Sequence, residues 1–172
     1  MSNCLHPAKP CGRASLRSYA QEIRTKLGLY NTQYIDIVRL MEFVFPQIFP
    51  NFHLEILSRE EMGNNHGLTK PQEGVIYIRE DVYNGACRGC GRDRFTMAHE
   101  LGHYLLHRAI PTGLARSASA DNVPSYCDPE WQASAFAGEF LMGHNVIQGL
   151  SPAQIAQACG VSYAAACYQY RK

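Results

Sequence analysis

Apolar residues along this chain recur first with the period of a helix and then with that of a strand. From Ser15, SLRSYAQEIRTKLGLY sets Leu16, Tyr19, Ala20, Ile23 and Leu27 on one helical face, and Gly28 offers a stop. TQYIDIVRLMEFVF repeats the spacing with Ile35, Val38, Leu40 or Met41, and Phe45; Pro46 and Pro50 are expected to end it. The period then shortens. FHLEIL alternates, and GVIYIRE is rich in β-branched and aromatic residues, so both are expected to be strands. Between them lies the turn-rich GNNHGLTKPQEG, within which residues 66–70 are expected to pair as a short strand with residues 74–79. NGACRGCGRDR reads as a glycine-rich loop.

Helical spacing returns in RFTMAHELGHYLLHRA, where Phe95, Ala98, Leu101 and Leu105 form the apolar face. A long polar segment, IPTGLARSASADNVPSYCDP, follows and is expected to be a flexible loop over a site. PEWQASAFAGEFLM then opens a helix, with Asp128 as N-cap and Pro129 at its first position. SPAQIAQACGVSYAAACYQY reads as two short helices joined at residues 159–161. The pattern is α+β: helices first, a small mixed sheet, then helices. Residues 1–14, with two prolines, a glycine and two cysteines, are expected to form a flexible arm before a single domain over residues 15–172.

Composition narrows the class. The 172 residues are 46% hydrophobic and 18% charged, enough for a core, and the net charge of +1 gives no reason to expect binding to nucleic acid or an anionic membrane. No apolar run approaches the ~18 residues that span a bilayer. MSNCLHPAKPCGR has no apolar signal core, so a cytoplasmic location is expected. Seven cysteines, mostly far apart, then favour reduced thiols over a disulfide framework.

The chemistry sits in an apolar helix that nevertheless carries His99, Glu100, His103 and His107. Buried polar groups are costly unless paired or holding a metal. His99-Glu100-Leu101-Gly102-His103 is an HExxH motif: histidines four apart lie about 6 Å apart along a helix axis, so both imidazoles can reach one zinc ion. Glu100 points about 100° around the helix, where it can hold a water and act as general base without ligating. Gly102 keeps space beside the metal or lets another element approach closely. A third ligand is needed. Glu130, in the first turn of the next long helix, leads, provided the two helices run antiparallel; Asp128, Glu139, His107 and His144 are the rivals. Three ligands from one helix make poor tetrahedral geometry, so His107 is expected to support the site or cap the helix. Tyr126, Tyr104, His107 and His144 are the candidates to stabilise an oxyanion.

FTMAHELGHYLLH followed by EWQASAFAGEFLM resembles the ImmA/IrrE (DUF955) metallopeptidases, and the resemblance covers most of residues 16–170. It implies a zincin-like fold of the gluzincin type, one zinc ion held by His99, His103 and Glu130, and Glu100 as catalytic base. It also implies a zinc-dependent endopeptidase that cuts helix-turn-helix repressors of the XRE type to relieve repression. The chain departs from the family pattern at Ser134, where Asn or Asp is usual, and at Gly143-His144, where a proline is usual; the CRGC stretch is no part of the pattern. A different class of function is a zinc-containing antirepressor or sensor that binds the repressor without cutting it. An intact Glu100 favours the enzyme, since a binder has no need of the base.

Three lesser signals complete the reading. Cys87 and Cys90 have metal-ligand or redox spacing and, with Cys4 and Cys11, are candidates for a second, structural metal site, although plain loop cysteines are the simpler reading. IAQACGVSYAAACYQY resembles half a helix-turn-helix but lacks a basic flank beyond Arg171 and Lys172, so DNA binding is not expected. GVIYI is a candidate edge strand for an extended substrate, equally well an ordinary sheet strand.

Overall fold

The computed structural model describes residues 8–108 and 124–172. The polar segment expected to form a loop over the site lies largely outside the described residues, as does Cys4. Helix α1 (Arg13–Lys26) comes first, followed by α2 (Ile37–Arg39), a π-helical turn (Leu40–Val44) and α3 (Phe45–Ile48). Strand β1 (His53–Leu57), helix α4 (Arg59–Met62) and strands β2 (Gly67–Lys70) and β3 (Val75–Arg79) make the β region. Helices α5 (Glu80–Cys87), α6 (Gly91–His107), α7 (Pro129–Leu141), α8 (His144–Ile147), α9 (Pro152–Cys159) and α10 (Tyr163–Tyr170) follow, with a 3-10 turn (Ser125–Cys127) leading into α7.

The second helix does not end at Pro46. The Phe45 amide bonds to the Leu40 carbonyl, five residues back, and this wider turn lets the helix pass through the proline ring. The glycine-rich stretch is not a loop either. It supplies the end of α5 and the start of α6, leaving only residues 88–90 between them. Its glycines mark close packing. A Cβ at Gly85 would fall 1.8 Å from Asp93 Oδ2, and one at Gly91 would fall 2.4 Å from the Val161 carbonyl carbon. Gly and Asn are read from sequence as loop formers because close approach to a distant element leaves no local trace.

The sheet has the order β1-β3-β2, with β1 parallel and β2 antiparallel to β3. β3 is therefore central, with Ile76 and Ile78 fully buried, and GVIYI is not an edge strand. The edge strands are β1 and β2, and β2 lies against α6. Behind α6 packs α7, and behind α7 packs α1. Residues 8–12, assigned to the flexible arm, are instead tied to the turn before α7: Ala8 N donates to Cys127 O, and Cys11 N to Tyr126 O.

Two arginines in the core hold the helices together. Arg24 donates to Phe140 O at 2.6 Å and also to Thr32 O, joining α1 to the end of α7. Arg94, 1% exposed, donates to Gly160 O at 2.8 Å, Ile35 O at 2.8 Å and Cys159 O at 3.3 Å, and stacks 3.9 Å over the Tyr34 ring. It thus ties the α9–α10 turn and the approach to α2 onto α6. Glu139, 1% exposed, is held by Arg13 at 2.9 Å and Arg17 at 3.0 Å, which clamps α1 to α7. Arg94→Met keeps most of the volume but leaves these carbonyls without their donor. It is expected to cost about 2–4 kcal/mol, read as a lower midpoint in urea unfolding. A midpoint within error of the parent would show that water satisfies the carbonyls.

Candidate metal centre

α6 presents His99 and His103 one turn apart, and α7 crosses them with Glu130 in its first turn. Paired positions run in opposite directions, His107 with Gln132 and His99 with Ser134, so the helices are antiparallel, as the third-ligand argument required. Gly102 permits this. A Cβ there would lie 3.0 Å from the Ala133 carbonyl oxygen and 3.1 Å from its Cα. Of the two roles open to Gly102, the structure supports close helix approach.

Three donors converge. His99 Nε2 and His103 Nε2 are 3.0 Å apart, and the Glu130 oxygens lie 3.3 Å from each. A tetrahedral zinc with bonds of about 2.0–2.1 Å would place its ligand atoms about 3.3 Å apart. Two imidazoles and a carboxylate also suit zinc in kind. The donor set fits one ion with a position left for water. Among the described residues it is the only group of three His, Cys, Asp or Glu donors this close together. The Glu130 side chain is 58% exposed, so the centre opens to the surface.

The other candidates separate cleanly. Asp128 caps α7, accepting from Glu130 N at 2.9 Å, and so aims the helix at the histidines. Glu139 is committed to Arg13 and Arg17. His144 begins α8, after α7 has ended at Leu141; it is exposed and outside the donor group. Tyr104 belongs to the core, edge-on to Phe49 and Phe52, so it is no oxyanion donor. Tyr126 is exposed in the 3-10 turn, and its backbone, not its ring, is engaged near the site. Cys11, Cys87 and Cys90 do not assemble into a three-donor group among the described residues.

His107 is 5% exposed and hydrogen-bonds through Nδ1 to His103 Nδ1 and through Nε2 to Gln132 Oε1, both at 3.0 Å. Burial lowers its pKa to about 4, against the raising effect of Gln132. Glu100 is not among the converging donors. Its carboxylate accepts from Thr69 Oγ1 at 2.6 Å, and the same hydroxyl lies 3.0 Å from the Glu100 carbonyl. Gln132, Thr69 and Gly67 were invisible as site residues in the sequence, because no spacing rule links β2 or the second turn position of α7 to the HExxH helix. Ser134, which stands where the family pattern has Asn or Asp, lies 3.1 Å from His99 Nδ1 and so still offers that ring a hydroxyl partner.

An α+β domain with two helix-borne histidines and a carboxylate on a neighbouring helix is a metal-centre scaffold of the metallopeptidase type. Residues 63–171 match the IrrE N-terminal-like domain of the peptidase M78 family, and the chain belongs to that family. It is 29% identical over 109 residues to metallopeptidase ImmA of Bacillus subtilis (strain 168), covering 57% of this chain and 58% of that protein's length. The chain thus spans well under two thirds of that relative. A Mycobacterium tuberculosis transcriptional regulator shares the fold over 91% of this chain and 46% of its own, with a TM-score of 0.59 at 13% identity. No helix among the described residues is long and apolar enough to cross a membrane.

Gly67 leaves the room that Glu100 occupies: a Cβ there would sit 2.5 Å from Glu100 Cγ and 2.7 Å from its Oε1. Gly67→Ala is expected to push the carboxylate off Thr69 and to cost about 1–3 kcal/mol through overpacking, with metal uptake unchanged. Thermal melting with parallel metal analysis checks both. An unshifted melt would mean that Glu100 has another place to go.

Proposed function

We propose that the chain is a zinc-dependent endopeptidase of the gluzincin kind, with His99, His103 and Glu130 as ligands and Glu100 as catalytic base. The single observation that carries this is the trio of donors at 3.0, 3.3 and 3.3 Å, with Glu100 next to His99 in the chain but outside the group. A zinc ion held by His99, His103 and Glu130 would supply a Lewis acid for the scissile carbonyl. Glu100 would take a proton from the attacking water and return it to the leaving amine. Thr69 orients the carboxylate by donating to one oxygen, leaving the other free.

Peptide recognition has a natural place. Of the two edge strands, β2 is the one that runs beside Glu100, so an extended substrate can add to it as a further strand. The substrate we propose is a helix-turn-helix repressor of the XRE type, whose cleavage relieves repression. Membership of the family that holds metallopeptidase ImmA supports a protein substrate.

Glu100→Gln separates cutting from binding. It keeps the size of the side chain but cannot take a proton at neutral pH. The zinc-loaded variant is expected to bind a purified XRE-type repressor and to cleave it 10²–10⁴-fold more slowly, followed by mass spectrometry of the fragments. If the variant still relieves repression with the repressor intact, the antirepressor function replaces peptide hydrolysis. Glu130→Ala is expected to lose zinc as fully as His103→Ala by metal analysis of the purified protein. Retained stoichiometric zinc in the Glu130 variant would remove that residue from the ligand set.

A further inference from the structure

His99 and His103 are equivalent in the motif but not in the structure. His99 Nδ1 faces the Ser134 hydroxyl at 3.1 Å, which can donate or accept and so leaves the ring either tautomer. His103 Nδ1 faces another histidine nitrogen, and what lies behind that nitrogen decides which of the two carries the proton.

The deciding atoms are two backbone carbonyls. Gln132 Nε2 lies 2.8 Å from Lys9 O and 2.7 Å from Tyr126 O. Carbonyls only accept, so the amide nitrogen belongs there; turned the other way, the amide would set oxygen against two oxygens. Gln132 Oε1 is then the atom 3.0 Å from His107 Nε2, which must carry a proton to donate. His107 and Gln132 are 5% and 2% exposed, and among the described residues no carboxylate is hydrogen-bonded to the His107 ring, so a cationic imidazolium there would be buried without a directly paired counter-charge. The neutral ring with its proton on Nε2 has a bare Nδ1. The short contact between the two Nδ1 atoms therefore takes its single proton from His103.

We infer that His107 is a positioning residue for the metal centre: with Gln132 and the carbonyls of Lys9 and Tyr126 it forms a one-way hydrogen-bond chain that holds His103 protonated on Nδ1 and bare on Nε2. The bare nitrogen is the one that faces His99 and Glu130. The chain selects the ligating tautomer before any metal arrives and fixes the ring plane. It also makes residues 8–12 and the turn before α7 part of the site, since they supply the two carbonyls that set its direction. The role in metal binding rests on the zinc reading above; the proton order does not.

The test uses the whole chain labelled with 15N, before and after one equivalent of zinc. Long-range 1H–15N spectra of the imidazoles are expected to place the His107 proton on Nε2 and the His103 proton on Nδ1 in both samples. His107→Leu and Gln132→Met are expected to weaken zinc binding 10–100-fold in competition with a chelator. His107→Asn, whose side-chain carbonyl can still take the His103 proton, is expected to recover most of that loss, which a merely space-filling role would not produce. Thermal melts identify any variant that fails to fold, and the spectra of the parent chain then decide alone. A His107 proton on Nδ1, or unchanged zinc affinity in folded His107→Leu, overturns the proposal. The expected proton pattern in a chain that takes up no zinc upholds the hydrogen-bond chain and overturns the peptidase reading instead.

Discussion

The distance between α6 and α7 controls every other feature of the site. With glycine at position 102 the Ala133 backbone lies where a side chain would otherwise stand, 3.0 Å from the missing Cβ. At that separation a first-turn glutamate on α7 reaches two imidazoles on α6, the next turn brings Ser134 to His99, and Gln132 meets His107. A wider spacing would lengthen all of these contacts together, because each runs from α6 to α7. Glycine inside a helix costs roughly 1 kcal/mol, and here it allows a close helix approach that a Cβ would crowd.

The close pair of helices is held in place from outside. Asp128 caps α7 and aims its first turn, while the Glu139 clamp and Arg24 fix its far half against α1. On the other side, β2 lies against α6 with Gly67 and Thr69 enclosing Glu100. The arrangement treats the two kinds of carboxylate differently. Glu130 is open to solvent and shared by two histidines, which suits the proposed ligand; Glu100 is enclosed and held by one hydroxyl, which suits the proposed base, a group that must take up and release a proton without moving.

Several buried polar side chains find their partners in distant parts of the chain. Arg24 and Arg94 end on backbone carbonyls, Glu139 on two arginines, and His107 on a glutamine that itself ends on carbonyls. Polar groups left unpaired in the interior would be costly, so these pairings specify which helices meet. They also place the metal centre at the junction of segments more than a hundred residues apart, since Lys9 O meets Gln132.

Local pattern alone determined the helical period of α1, α6 and α7, the pairing of β2 with β3, the cap at Asp128 and the HExxH face, because each depends on residues within a few positions of one another. Glu130 could be ranked first among third ligands for the same reason: a first-turn position on an antiparallel helix is a local property plus one assumption. Only the tertiary structure decided that β3 is central and β2 an edge, that Gly85 and Gly91 are packing contacts within helices and not loop residues, and that Tyr104 faces the core. It alone brought Thr69 to Glu100 and Gln132 to His107. These outcomes turn on which distant surface meets a residue, and a hydrogen-bond donor or a missing Cβ carries no mark in the sequence of the partner it will find.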